Sequence, residues 1–394
     1  MCKKLCIFVL KMQLYLFNPE NDMALAYGGP YYMPPSNARR MAHDLAALPM
    51  WYASRGSDVW LAEARQVEWM DRHCPVSLGV RGVTSLSSIY NKVCPWGWSA
   101  SVAYRLKERG VGAEACPSLL QIERIRELSA RGMALDVLHT LGIPHLFGGA
   151  VRVEVASDVL PLVKKHGKMM LKAPWSGSGR GIQLVEGPLN ASLQGWVNHI
   201  FKTQGYVVAE PFYDKVVDFA MEFLSAEGVV RFAGYSWFET DSRGIYKENL
   251  LAGDDEIESR LARYVGKAAL QQVRNALEEK LTQVVNGAYQ GYLGVDMMVC
   301  CVDGGYALHP CVEINLRMNM GITARLLYDC HVHPSAEGRF VIEYYPEEGE
   351  ALRMHQAMQK AHPLEIQEGK IKRGYWSLTP VFQDTCYQAY GLIP

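Results

Sequence analysis

The chain lacks the features that mark several common protein classes. Its ten cysteines include no Cys-x-x-Cys pair, which favours free thiols in a reducing compartment over a disulfide framework. No run approaches the roughly 18 consecutive apolar residues of a membrane span. The net charge of −1 over 394 residues leaves no basic footprint for nucleic acid or a membrane surface. These absences predict a cytoplasmic protein with neither a nucleic-acid nor a membrane partner.

The common nucleotide and nucleophile signatures are also missing. The glycine-rich segment 176–181, with the sequence SGSGRG, has no Gly-Lys-Ser/Thr ending, so it is not a Walker loop. Its three glycines do not fit the dinucleotide pattern G-x-G-x-x-G. Neither of its serines has the flanking glycines of a G-x-S-x-G nucleophile elbow. Phosphate binding by this segment therefore needs support from elsewhere in the chain.

The most informative feature that is present is a predicted β-hairpin. Two β-rich runs, 294–299 and 311–317, flank the turn residues Asp303, Gly304 and Gly305. Asp-Gly between two such runs is a strong hairpin signal. The two turn residues are either Asp303-Gly304 or Gly304-Gly305, and the choice decides which residues lie opposite each other across the hairpin.

Both turn alternatives bring acidic side chains together. Asp296 lies opposite Cys311 in one register and opposite Glu313 in the other, and both registers place Asp296, Glu313 and Asn315 on one face because strand side chains alternate. Two carboxylates and an amide oxygen are poor neighbours unless a hard cation lies between them. Mg²⁺ prefers such ligands together with substrate phosphates. The hairpin therefore predicts a nucleotide-metal site.

An apolar strand that ends in a lysine precedes the glycine-rich segment. Residues 169–171 are apolar, Lys172 follows, and the segment 176–181 begins four residues later. Glycines let the backbone approach an anion, so such a loop can wrap phosphates with N–H groups while Lys172 supplies a point charge. By itself the loop is equally compatible with a plain hairpin.

The order of these segments resembles the ATP-grasp superfamily of ATP-dependent ligases. Lys172 and the glycine-rich segment come first, the strand 207–210 and the acids Asp218 and Glu222 follow, and the acidic hairpin comes last. The resemblance covers residues 116–330. It implies the ATP-grasp fold, of mixed α/β and α+β class, preceded by an N-terminal α/β domain of the pre-ATP-grasp type.

The resemblance implies a nucleotide site built from several segments. Lys172 matches the lysine on the α- and β-phosphates, and Glu210, with Phe212 and Tyr213, matches the hinge that holds adenine. Asp218 is a candidate for the ribose contact. The predicted lid over the β- and γ-phosphates consists of Ser176, Gly177, Ser178, Gly179, Arg180 and Gly181.

The resemblance also implies the metal and transfer residues. Asp296 and Glu313 match the metal acids, and Asn315 matches the metal amide. Arg317 matches a position at which some members place an arginine on the transferred group. Arg131 stands where members usually have a phosphate-binding lysine, which keeps the charge but changes the geometry because arginine forks onto oxygens.

The resemblance implies an enzyme that uses ATP and Mg²⁺, with Mn²⁺ as an alternative. A small carboxylate attacks the γ-phosphate, and an amine or similar nucleophile then attacks the acylphosphate, releasing ADP and phosphate. Arg317 and Lys172 are the candidate catalytic residues. Two alternatives stay open: a small-molecule kinase on the same fold, and a non-catalytic nucleotide-binding regulatory module. A homodimer is retained as an option.

Three domains are predicted along the chain. Residues 12–115 alternate short apolar runs with helical patches, which is typical of a small α/β domain. Residues 116–205 form the first ATP-grasp lobe, and residues 206–394 form the second lobe with a C-terminal extension. Apolar residues at helical spacing predict helices over 119–141 and 256–285.

Three further segments carry predictions. Residues 18–22, Asn-Pro-Glu-Asn-Asp, follow a strand at the position where α/β sheets bind ligands, although they are also ordinary turn formers. The polar and aromatic segment 237–249 is predicted to be a long loop, with Arg243 and Lys247 as candidate acceptor contacts. Met12 is the expected start, because the six-residue apolar core before Lys11 is shorter than the usual ~7–15 residues of a secretion signal.

Overall fold

A computed structural model describes residues 12–74, 78–143, 147–176, 181–240 and 246–394. The predicted lid residues 177–180, the candidate Arg243 and the segment before Met12 lie outside these ranges. No helix in the described ranges has the length and apolar character required to cross a membrane.

The N-terminal part contains a parallel sheet with the strand order β3-β2-β1-β4. Its strands are β1 (Gln13–Leu16), β2 (Asp58–Trp60), β3 (Arg81–Val83) and β4 (Lys92–Pro95). Its helices are α1 (Asn21–Tyr27), α2 (Ser36–Asp44), α3 (Ala64–His73) and α4 (Ala100–Glu108). Leu14 and Val59 have no exposed surface, as expected of parallel strands covered on both faces. The parallel sheet confirms the predicted α/β component.

A second, antiparallel sheet follows, with the order β5-β8-β6-β7. Its strands are β5 (Val151–Val153), β6 (Lys168–Lys172), β7 (Ile182–Glu186) and β8 (Val207–Pro211). The helices before and within this region are α5 (Leu119–Leu128), α6 (Arg131–Thr140), α7 (Val159–His166) and α8 (Ala191–Gln204). Because β8 pairs with β5 and β6, this sheet extends past the boundary predicted at residue 205.

The predicted helix over 119–141 is two helices. Ala130 has an extended backbone, with φ −73° and ψ 142°, and separates α5 from α6. The backbone N–H of Arg131 donates to the carbonyl of Pro174, 2.9 Å away, instead of to the preceding helix. The apolar spacing runs through this break because both helices bury the same kind of face, so periodicity alone does not reveal the interruption.

A large sheet has nine strands in the described part of the chain, in the order β13-β12-β9-β10-β11-β14-β17-β16-β15. The strands before the hairpin are β9 (Lys215–Ala226), β10 (Val229–Thr240) and β11 (Tyr246–Leu251). The hairpin strands are β12 (Gly291–Val302) and β13 (Gly305–Asn315). The last strands are β14 (Gly338–Tyr344), β15 (Glu365–Gln367), β16 (Lys370–Ser377) and β17 (Tyr387–Ile393). The helices are α9 (Asp254–Val265), α10 (Lys267–Val285), α11 (Met320–His331) and α12 (Glu350–Ala361).

Two sequence predictions for this region need correction. Residues 237–240 and 246–249 belong to β10 and β11, so the prediction of a long loop there is wrong. Aromatic residues such as Trp237 fit a pleated sheet, and that preference outweighs the polar neighbours. The helix predicted over 256–285 is divided between α9 and α10 by Gly266, whose φ of +74° cannot continue a helix.

The two faces of β9 have opposite character and set the position of the site. Phe219, Met221 and Phe223 point into a buried apolar cluster that also contains residues of α9 and α10. The alternate residues Ala220 and Glu222 therefore lie on the opposite face, together with the polar side chains of β12 and β13.

The β12–β13 hairpin combines elements of both predicted registers. Asp303 and Gly304 both have positive φ, 47° and 80°, which fits a two-residue type I′ turn. Met298 pairs with His309, and two residues earlier Asp296 pairs with Glu313, so β13 carries two extra residues in this interval. This irregularity moves Glu313, instead of Cys311, opposite Asp296.

Candidate active site

A cavity of about 580 Å³ lies over the polar face of the large sheet. Side chains of the hairpin form its floor, and α6, β7 and the N-terminal segment after β1 contribute further walls. The predicted residues on its surface are Arg131, Asp296, Glu313, Asn315 and Arg317. Lys172 and Glu210 are not on this surface. The large sheet therefore brings together the predicted metal and transfer residues.

Strand pairing fixes the relative positions of the metal residues. Asp296 pairs with Glu313, and Gly294 pairs with Asn315, so the three polar side chains share one face, as predicted. The Asn315 amide Nδ2 donates to Asp296 Oδ2 over 3.0 Å, and Arg317 donates to Asn315 Oδ1 over 2.7 Å. The amide nitrogen of Asn315 thus faces Asp296, and its oxygen faces Arg317.

The electrostatics of this face favour a cation. Burial raises the pKa of Asp296, and the nearby Glu313 carboxylate raises it further. The described ranges contain no cluster of three or more His, Cys, Asp or Glu side chains able to hold a metal without other ligands. Two carboxylates and an amide oxygen nevertheless fit Mg²⁺ when phosphate oxygens and water complete the shell.

Arg317 is held by a residue of the N-terminal part. Its Nε and Nη2 each donate to a different oxygen of Asp22, both over 2.8 Å. Burial would lower the pKa of Arg317, but Asp22 more than offsets this and raises it. A bidentate pair of this kind fixes the guanidinium plane. The segment 18–22, a ligand candidate by sequence, thus reaches the site through Asp22.

Arg131 connects the metal face to the glycine-rich segment. Its guanidinium donates to Glu313 Oε2 over 3.0 Å and to the carbonyl of Ala173 over 2.7 Å, and it also bonds the Ser176 hydroxyl. The side chain is 4% exposed. Its phosphate-binding role stays a prediction.

Lys172 and Glu210 form a separate buried pair on neighbouring strands. The Lys172 ammonium bonds Glu210 Oε2, and His309 Nε2 lies 3.0 Å from Glu210 Oε1. Burial would raise the pKa of Glu210, but Lys172 and His309 lower it to about 2. The carboxylate predicted to hold adenine is therefore the counter-ion of the predicted phosphate lysine.

The other predicted nucleotide residues have varied surroundings. Phe212 is half exposed, and the Tyr213 hydroxyl accepts from the Gly149 N–H over 2.7 Å. Asp218 accepts from Lys215 and from the Thr240 hydroxyl.

Only the two ends of the predicted lid are described. The Gly181 carbonyl accepts from the Ala173 N–H over 2.8 Å, which closes the base of the segment.

The site contains an acid that the sequence analysis did not assign. Glu222 is 1% exposed, lines the cavity and accepts from Asn319 Nδ2 over 2.9 Å. Burial raises its pKa to about 8, the Asn319 hydrogen bond lowers it, and the Asp296 charge raises it. In the sequence Glu222 alternates with the core residues Met221 and Phe223 of β9, a pattern that separates the two faces of the strand but does not show that a cavity covers this one.

Comparisons with known proteins identify the fold. No protein-family model and no curated protein sequence matches the chain. A biotin carboxylase from Campylobacter jejuni is 12% identical, with a TM-score of 0.51 over 97% of this chain and 87% of that chain. An N5-carboxyaminoimidazole ribonucleotide synthetase in complex with ADP is 10% identical, with a TM-score of 0.50 over 98% and 92%.

A pyruvate carboxylase from Rhizobium etli is 11% identical, with a TM-score of 0.52 over 97% of this chain and 36% of that longer chain. All three are ATP-grasp enzymes. The chain therefore has the ATP-grasp fold, which confirms the fold class predicted from the sequence.

Proposed function

We propose that the protein is an ATP-dependent ligase that joins a small carboxylate to an amine or a similar nucleophile and releases ADP and phosphate. The observation that carries this proposal is the pair Asp296 and Glu313, placed opposite each other on the wall of a large cavity. Arg131 and Arg317 flank the pair. Such a constellation suits the transfer of a phosphoryl group between two bound small molecules.

The chemistry follows from charge and position. A substrate carboxylate attacks the γ-phosphorus of ATP, the bond to the β,γ-bridging oxygen breaks, and an acylphosphate and ADP form. Mg²⁺, when bound by Asp296, Glu313 and Asn315, supplies charge neutralisation for the phosphates. Arg317, oriented by Asp22, would bind the carboxylate or the acylphosphate, and Arg131 would bind phosphate oxygens. The protein acts by positioning and neutralising its substrates.

Nucleotide binding is assigned to the antiparallel sheet and its neighbours. Lys172 ends β6, directly before Ala173, whose carbonyl is bonded by Arg131. If Lys172 exchanged its contact with Glu210 for one with a phosphate oxygen, it would take the phosphate-binding role predicted from the sequence. The domains 12–115, 116–205 and 206–394 remain part of the proposal, with β8 joined to the sheet of the first lobe.

The test is ADP release from ATP in the presence of Mg²⁺, screened over pairs of small carboxylates and amines. We expect ADP release to depend on both substrates and to disappear in Asp296→Asn. Asp303→Asn is a matched control, because it changes an exposed aspartate in the turn of the same hairpin. A stable phosphorylated product without amine dependence would instead indicate a kinase. ATP binding without turnover across the screen would indicate a binding module.

A further inference from the structure

Glu222 lies beside the metal face, one row further along the sheet. Ala220 pairs with Asp296, which pairs with Glu313, and in the next row Glu222 pairs with Gly294, which pairs with Asn315. Diagonal neighbours across antiparallel strands are about 7–8 Å apart. A group bound at Glu222 would therefore lie close to a substrate that is activated at Asp296.

The Glu222 carboxylate has one fixed oxygen and one free oxygen. Oε2 accepts from Asn319 Nδ2 over 2.9 Å, and Asn319 Oδ1 accepts from the Ile322 N–H over 2.8 Å, which sets the amide orientation. Oε1 has no hydrogen-bond partner within the described ranges. Glu222 is nearly fully buried but lines the cavity, so a ligand contact falls to Oε1, the oxygen without a described partner.

Glycine at position 321 makes room for this carboxylate. A Cβ on Gly321 would overlap Glu222 Oε1 and the Ser236 hydroxyl. Ser236 also accepts from Asn249 over 2.7 Å, so a second oriented polar group stands beside Glu222 on the cavity wall. The close approach of these groups explains why a residue with a side chain does not fit at the start of α11.

The surroundings favour a cationic ligand with an apolar body. The two arginines on the cavity surface already have carboxylate partners, Arg131 with Glu313 and Arg317 with Asp22. Glu222 has no ion pair among the described residues. Apolar and aromatic side chains contribute much of the remaining wall, including Met23, Met41, Trp96, Phe238 and Ile342.

We propose that Glu222 is the anchor of an acceptor subsite, which binds the attacking group as a primary ammonium carried on an apolar or aromatic body. This inference rests on the proposed ligase function and names the substrate class of its second step. The ammonium would contact Glu222 Oε1 from the cavity side, beside the Ser236 hydroxyl. It would pass a proton to Glu222, and the neutral nitrogen would then attack the acyl carbon that is activated over Asp296 while the bond to the phosphate oxygen breaks and phosphate leaves.

The variant Glu222→Gln separates ligand binding from a structural role. A glutamine keeps an oxygen to accept from Asn319 and keeps the volume beside Gly321, but it removes the charge. Glu343→Gln is the matched control, because Glu343 also lines the cavity but accepts from the hydroxyls of Tyr345 and Tyr390.

The binding test compares amines with isosteric alcohols. Benzylamine, phenethylamine and isobutylamine, each with its matching alcohol, are titrated calorimetrically into the full-length protein at pH 8.5, which is above the pKa of about 8 of Glu222 and below the pKa values of the amines. We expect wild type and Glu343→Gln to bind at least one amine more tightly than its alcohol. Glu222→Gln should lose about 10- to 100-fold in amine affinity, as for a charge-assisted hydrogen bond, and keep its alcohol affinity within about threefold.

Hydroxylamine separates this inference from the ligase proposal. It is small and uncharged near neutral pH, and it traps acylphosphates as hydroxamates without an ammonium-binding site. With a turnover-supporting carboxylate, wild type and Glu343→Gln should both form hydroxamate. Equal amine affinity in wild type and Glu222→Gln, or a loss of amine affinity in Glu343→Gln instead, overturns the subsite. No hydroxamate in wild type with any carboxylate contradicts the ligase function itself.

Discussion

Replacement of Glu222 by glutamine should stabilise the ligand-free protein at high pH. Burial is the main reason that the pKa of this carboxyl is raised from 4.5 to about 8. Between these values the folded protein keeps the proton while the unfolded chain has lost it. Stability therefore falls as the pH rises from about 4.5 to 8, and then stays at its lower level. Glutamine cannot ionise, so the variant escapes this loss.

The magnitude follows from the pKa. A rise from 4.5 to about 8, at about 1.4 kcal/mol per pKa unit, corresponds to about 5 kcal/mol above pH 8. With an unfolding entropy of about 2.1 cal/mol/K per residue over 394 residues, this equals a difference in Tm of about 6 °C.

The assay is thermal unfolding of wild type and Glu222→Gln from pH 5 to pH 9 without ligands. At pH 5 wild-type Glu222 is protonated in the folded state, so the two melting temperatures should differ little there. The variant should gain several degrees over wild type as the pH rises to 8.5. A difference that stays constant with pH, or a wild type that becomes the more stable protein at pH 8.5, would refute the burial argument.

Four other substitutions test the rest of the site. Asp296→Asn or Glu313→Gln should each lower Mg-ATP turnover about 100-fold or more while the fold is kept; turnover within about tenfold of wild type in both would remove the metal assignment. Lys172→Ala should weaken binding of ATP more than of AMP in a competition assay, because AMP lacks the outer phosphates; equal losses would indicate a structural role. Asp22→Asn should destabilise the protein by about 1–3 kcal/mol in chemical denaturation, because Arg317 loses its bidentate partner, and an unchanged midpoint would contradict that pairing.

The acidic hairpin could be predicted from sequence because its information is local. The Asp303-Gly304 turn needs residues that tolerate positive φ, and strand alternation then places Asp296 and Glu313 on one face. The register could not be derived in the same way, since the two extra residues in β13 depend on pairing across the sheet. The prediction that Asp296 and Glu313 share one face was correct. The residue opposite Asp296 was left open between Cys311 and Glu313.

The sequence analysis did not predict the contacts between segments that are far apart in the chain. Asp22 and Arg317 are 295 residues apart, and no local pattern shows that they pair. Glu222 lies in a strand whose alternate residues are apolar, so it resembles an ordinary solvent-facing position until the cavity above it is known. Glu210 was assigned to adenine by resemblance, whereas its partners Lys172 and His309 follow from packing. Tertiary structure supplies this information because it decides which polar faces meet.

The central claim is that a carboxylate is activated by phosphoryl transfer from ATP. It is tested most directly with a substrate carboxylate labelled with ¹⁸O, incubated with the protein, Mg-ATP and an amine acceptor. Attack of the carboxylate on the γ-phosphorus and later displacement of phosphate would transfer one labelled oxygen to the released phosphate. We predict that the phosphate carries this label in step with ADP formation. Unlabelled phosphate accompanying product formation would contradict the acylphosphate route.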